Sequence, residues 1–73
     1  MSEYLIQFLW DEEAAVWVAT SEDIPGLVLE SGSFDALVER CRIAAPEILE
    51  LNGKDYKDVY LNFTTKHRVK AVA

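Results

Sequence analysis

At 73 residues the chain has room for one domain and one hydrophobic core, and its 51% apolar and 11% aromatic content excludes a disordered segment. One cysteine excludes an internal disulfide, and with a single histidine it offers none of the usual clustered ligand sets, so no metal, no cofactor and a reducing cytoplasm are expected. The net charge of −6 argues against a phosphate backbone as partner, and no apolar run approaches the roughly 18 residues needed to span a bilayer or follows a basic leader.

The charge is unevenly spread. Residues 1–39 hold nine carboxylates and no Lys or Arg, whereas residues 40–73 hold seven basic and four acidic residues. An acidic first half suits either an ordinary solvated surface or one that steers a basic partner.

In chain order, residues 3–10 lack turn formers and are rich in aromatic and branched types, which predicts a strand with Tyr4, Ile6, Phe8 and Trp10 on one face and Leu5, Gln7 and Leu9 on the other. Asp11-Glu12-Glu13 is a polar break that reads as a hairpin turn into a second strand over 14–20, with Val16 and Val18 opposite Ala15, Trp17 and Ala19. In Ile24-Pro25-Gly26, proline fixes φ for the second position of a type II turn and glycine supplies the positive φ of the third, so Pro25 and Gly26 are assigned to a structural turn. A short third strand, 27–31, follows and ends at Gly32.

Ser33 is placed to cap a helix starting at Phe34, and Asp35 suits the positive end of its dipole. Phe34, Leu37, Val38, Cys41, Ala45, Ile48 and Leu49 recur at helical spacing and form the stripe that must rest on the sheet. Pro46 interrupts that pattern and predicts a kink or restart, and Asn52-Gly53 predicts the end. After a polar connection at 54–57, Asp58–Thr65 alternates Val59, Leu61 and Phe63 inward with Tyr60, Asn62 and Thr64 outward, a half-buried strand. Residues 66–73 form a basic tail of a single domain spanning 1–73.

The expected fold is therefore α+β, with element order β-β-β-α-β. A crossover from strand three through the helix places strand four parallel beside strand one, in a four-stranded mixed sheet of order 3-2-1-4. One helix covers one face. Leu5, Leu9 and either Trp10 or Trp17, according to the hairpin register, are expected on the other, as an apolar patch for a partner. Strand four is also an open edge. A homodimer, or a complex with another protein, is the expected assembly; a tail folded back over that face is the alternative.

Catalysis is not expected. Strand one has no carboxylate between Tyr4 and Trp10, and the carboxylates at Asp11, Glu12, Glu13, Glu22 and Asp23 lie in turns rather than clustered for two divalent ions. Cys41 falls on the apolar stripe of the helix, where an inert buried thiol is expected, and His67 reads as a solvated tail residue. The run Lys66-His67-Arg68-Val69-Lys70 has the charge to touch nucleic acid, but the acidic remainder favours a solvated tail. Trp10 and Trp17 read as packing residues before an aromatic binding platform.

Two strands flanking an acidic turn, the segment A-T-S-E-D-I-P-G-L-V-L-E-S-G and a following helix resemble the N-terminal domain of HicB-type antitoxins. D-I-P-G-L at 23–27 together with A-P-E-I-L-E-L-N-G at 45–53 is similar to a small family of stand-alone HicB-allied domains of uncharacterised function. The resemblance implies a partial RNase H-like fold and a non-catalytic, antitoxin-like module that binds and blocks a small basic RNA-cleaving toxin. On that reading Leu5, Leu9, Trp10, Trp17, Glu22 and Asp23 belong to the partner-binding surface. Two features depart from the relatives: the chain leaves no room for their C-terminal DNA-binding domain, and Phe34-Asp35-Ala36-Leu37 replaces the E-E-A type opening of their helix. A self-associating structural or regulatory domain and a residual RNase H-like nuclease stand as the alternatives.

Overall fold

The structure is a computed structural model that describes residues 2–73. Its elements are strand β1 (Ser2–Asp11), strand β2 (Val16–Thr20), strand β3 (Val28–Ser31), helix α1 (Phe34–Leu51) and strand β4 (Val59–Lys66). The sheet order is β3-β2-β1-β4, with β1 antiparallel to β2, β2 antiparallel to β3, and β4 parallel to β1. The fold is thus the α+β arrangement expected from the pattern of turns and periodicities.

The β1–β2 hairpin departs from expectation in its turn. Asp11 remains in β1, and its Oδ1 accepts from the backbone N–H groups of Glu13 (3.1 Å) and Ala14 (3.2 Å). Ala15 closes the loop at φ 54°, in the left-handed region that alanine enters only when its surroundings fix it there. The loop is therefore residues 12–15, and β2 begins at Val16. This sets the register: Asp11 faces Val16 and Trp10 faces Trp17. Because directly opposed residues point to the same side of a sheet, both tryptophans share one face.

That face carries Ile6, Phe8 and Ala19, all buried beneath α1. The expectation that one tryptophan would fall on the uncovered face is corrected: Trp10 and Trp17 both stand on the helix side, ring centroids 5.2 Å apart. They extend an aromatic file in which Phe8 meets Phe63 (5.2 Å) and Phe34 (4.9 Å), and Phe34 meets Trp17 (5.2 Å). His67 closes the file, its ring 5.0 Å from Trp10 and 5.1 Å from Trp17, so the start of the tail packs on the helix-side end of the sheet and leaves the opposite face open.

Ser33 caps α1 as its chemistry dictates, its Oγ accepting from Ala36 N–H at 3.2 Å. Leu37, Cys41, Ala45 and Leu49 are buried at four-residue steps, and the helix runs unbroken through Pro46. The expected restart at Pro46 does not occur. At the C-terminus, Lys54 N–H donates to the Leu49 carbonyl (3.0 Å) and Gly53 N–H to the Glu50 carbonyl (3.1 Å), with Gly53 at φ 68°. This paired closure satisfies carbonyls that the helix end would otherwise orphan. The helix rests mainly on β3 and β2, so Val59, Leu61 and Phe63 of β4 stay half-buried.

Candidate partner-binding face

The side of the sheet away from α1 is built from alternate residues of every strand. Strand registers arrange them in rows: Glu3 beside Tyr60; Leu5 beside Asn62; Val28, Thr20, Gln7 and Thr64 in one line; Glu30, Val18, Leu9 and Lys66 in the next; and Val16 beside Asp11. Leu5 (48% exposed), Leu9 (38%), Val28 (69%) and Tyr60 (55%) present apolar surface to solvent. The row of Gln7, Thr20 and Thr64 divides this surface, so the face is apolar with a polar band across it rather than one continuous apolar patch. Acidic groups fringe it at Glu3, Asp11 and Glu30, and Lys66 supplies the positive charge on it.

A corner built by Ser21-Glu22-Asp23 closes one end. β2 leaves the ladder after Thr20 pairs with Gln7, which would leave without a partner the backbone groups of Leu5, two residues earlier in β1. Two side chains take the place of the missing strand: Ser21 Oγ donates to the Leu5 carbonyl (2.5 Å), and Asp23 Oδ2 accepts from Leu5 N–H (2.8 Å). Ser21 Oγ also accepts from Asp23 N–H and Ile24 N–H, both at 3.1 Å. Past the corner, Leu27 N–H donates to the Ile24 carbonyl at 3.1 Å and Gly26 sits at φ 95°, the type II turn expected for Pro25-Gly26. Ile24 and Leu27 are buried on either side of that turn. The end of the helix clamps it from outside, Asn52 Nδ2 donating to the Pro25 carbonyl (3.0 Å) and Lys54 Nζ to the Asp23 carbonyl (3.1 Å).

Where the corner meets the open face lies a shallow depression of about 250 Å³, lined by Leu5, Gln7, Thr20, Thr64 and the Ser21-Glu22-Asp23 segment. Of the residues assigned to partner binding from sequence, Leu5, Leu9 and Glu22 lie on or beside this surface. Asp23 borders it with one carboxylate oxygen committed to the Leu5 backbone, and the tryptophans are on the far side of the sheet. Gln7, Val18, Thr20, Val28 and Thr64 were not singled out from sequence. The alternation within β1 and β2 carried the signal, but the rows across strands needed the register.

Among the described residues no group of three or more His, Cys, Asp or Glu side chains is placed to hold a metal ion. No described helix is long and apolar enough to cross a membrane. Cys41 is buried, and burial pushes its thiol pKa up, an effect the neighbouring Arg40 charge only partly offsets. A raised folded-state value means the native chain holds that proton more tightly than the unfolded chain. This contribution is undiminished below about pH 9, where an unfolded thiol ionises, and is lost as pH rises beyond it. Cys41 should therefore react with an aromatic disulfide reagent at pH 8 only as fast as the chain unfolds, and Cys41→Ala should flatten the decline of urea stability above pH 9. Rapid labelling of the native chain would contradict this burial.

A solved structure bears on the fold. The crystal structure of a hypothetical protein from the extremely thermophilic bacterium Thermus thermophilus matches with a TM-score of 0.82 and 36% sequence identity, covering 94% of this chain and 99% of that one. No curated protein matches. The model of a domain of unknown function, DUF1902, matches residues 3–73, all but the first two positions, and the chain belongs to that family.

Proposed function

We propose that this domain is a non-catalytic protein-binding module, antitoxin-like in action, whose open sheet face receives a small basic protein such as an RNA-cleaving toxin. The observation that carries the proposal is the chemistry of that face: exposed Leu5, Leu9, Val28 and Tyr60 supply apolar contact, and Glu3, Asp11, Glu22 and Glu30 surround them with negative charge. Apolar anchors within a charged rim provide affinity and steering respectively, and here the rim selects for a basic partner. The HicB resemblance of the D-I-P-G-L and A-P-E-I-L-E-L-N-G segments supports the same reading, and a single inert thiol suits a reducing cytoplasm. A nuclease reading fits less well, because Asp11 and Asp23 each spend a carboxylate oxygen on backbone N–H groups of the fold.

The test is co-expression of the full chain with the product of an adjoining short, basic open reading frame, followed by affinity capture and a toxicity assay. Capture and neutralisation are expected. Leu9→Arg should weaken capture at least about tenfold, the scale of a buried anchor lost at an interface, while lowering stability by no more than about 1 kcal/mol, so that the chain stays folded. A basic neighbour that neither binds nor is neutralised, or a Leu9→Arg chain that captures it as well as the original, would overturn the proposal.

A further inference from the structure

The free edge of β4 lacks the devices by which edge strands usually avoid pairing. Its sequence, V-Y-L-N-F-T-T-K, has no proline, its residues pair with β1 without interruption, and its one charged residue, Lys66, is the last. No described side chain is hydrogen-bonded to its backbone, and the chain beyond Lys66 leads His67 to the tryptophans, away from this edge. Between that edge and the helix runs a cleft of about 410 Å³ lined by Arg42, Pro46, Val59, Tyr60, Leu61 and Phe63. It exists because α1 rests on β3 and β2 and leaves the inward residues of β4 half-covered.

We propose that this edge pairs antiparallel with β4 of a second copy of the chain, about a two-fold axis passing through Asn62. The strand is self-complementary in that register. Asn62 faces its own counterpart, Leu61 faces Phe63, Tyr60 faces Thr64, and Val59 faces Thr65. Asp58, which immediately precedes the strand, meets Lys66, so each end of the pair joins opposite charges. It is this charge match, met twice by symmetry, that identifies a second copy as the occupant. Leu61 and Phe63 of both copies would meet on the helix side, where each cleft lacks cover. The two four-stranded sheets become one, with both helices on one side and both open faces on the other. The proposal does not depend on the partner reading of the open face, which the pairing leaves free.

Sedimentation equilibrium of the full chain tests it, with far-UV circular dichroism and urea midpoints as folding controls. The chain should dimerise reversibly. Lys66→Glu places Glu opposite Asp58 at both ends and should weaken the dimer about tenfold at low salt; Asp58→Lys should do the same with two positive pairs. An equimolar mixture of the two variants should recover the original affinity, since each heterodimer regains both opposite-charge pairs. As a register check, Asn62→Cys should form a disulfide-linked dimer on mild oxidation, whereas Thr64→Cys, which faces Tyr60, should not. A chain that sediments as a monomer overturns the proposal, as do charge variants that associate unchanged or cross-linking through position 64 in place of 62. Loss of the dimer in Leu9→Arg would also overturn it, by moving the interface to the open face.

Discussion

Replacing Phe8 with alanine should remove about 3–5 kcal/mol of stability, the usual cost of deleting a fully buried aromatic side chain and leaving its cavity. The expectation rests on position. Phe8 is 0% exposed, lies in β1 between two neighbouring strands, and meets Phe34 and Phe63 edge-on at 4.9 and 5.2 Å. A domain of this length commands on the order of 4–11 kcal/mol in total, so the loss is about a quarter of it at the least. Urea titration followed by circular dichroism should show a midpoint reduced by about a quarter or more, or no folded baseline at all. The adjacent residue is the control. Leu9 points to the opposite face and is 38% exposed, so Leu9→Ala should cost about 1 kcal/mol or less. Equal losses at the two positions would mean that the faces of β1 are wrongly assigned.

The contrast between Phe8 and Leu9 also shows what could be read from the residues. Alternation in β1 and β4, the Pro25-Gly26 turn, the Ser33 cap and the Asn52-Gly53 terminus each rest on interactions within a few positions of one another, and these sufficed to set the strand order. The hairpin register did not yield in the same way. It depends on Asp11 folding its side chain over the loop and on Ala15 accepting a left-handed backbone, against the ordinary preference of alanine. A loop one residue shorter would have moved Trp17 to the open face. Pro46 is the reverse case. Local chemistry argues for a break, yet the buried run Leu37, Cys41, Ala45 and Leu49 holds the helix to the sheet on both sides of it, and packing prevails over the lost hydrogen bond. The open face itself followed from having one helix and four strands. Its polar band and the role of Asp23 did not, because both depend on contacts between segments distant in sequence.

The corner at Ser21 and Asp23 supplies the second large effect. Ser21→Ala removes the donor to the Leu5 carbonyl and the acceptor for two N–H groups; Asp23→Ala removes the acceptor for Leu5 N–H. The site is partly open to water, which can replace some of these bonds, so each substitution should cost about 1–2 kcal/mol rather than the full penalty of buried unpaired groups. The double variant should cost less than the sum by about 0.5 kcal/mol or more, because once either anchor is lost the segment no longer holds the other in place. Hydrogen exchange localises the effect. The Leu5 amide, bonded here to a side chain instead of a neighbouring strand, should exchange much faster in Asp23→Ala, while Gln7 and Leu9 keep the protection of the ladder with β2. If Glu22 takes part in holding a basic partner, the same variants should also weaken capture, through loss of the fixed corner and with Leu9 and Val28 untouched. Strict additivity, or an unchanged Leu5 exchange rate, would show that the two side chains do not stand in for the missing strand and that the corner is held by the Ile24–Leu27 turn alone.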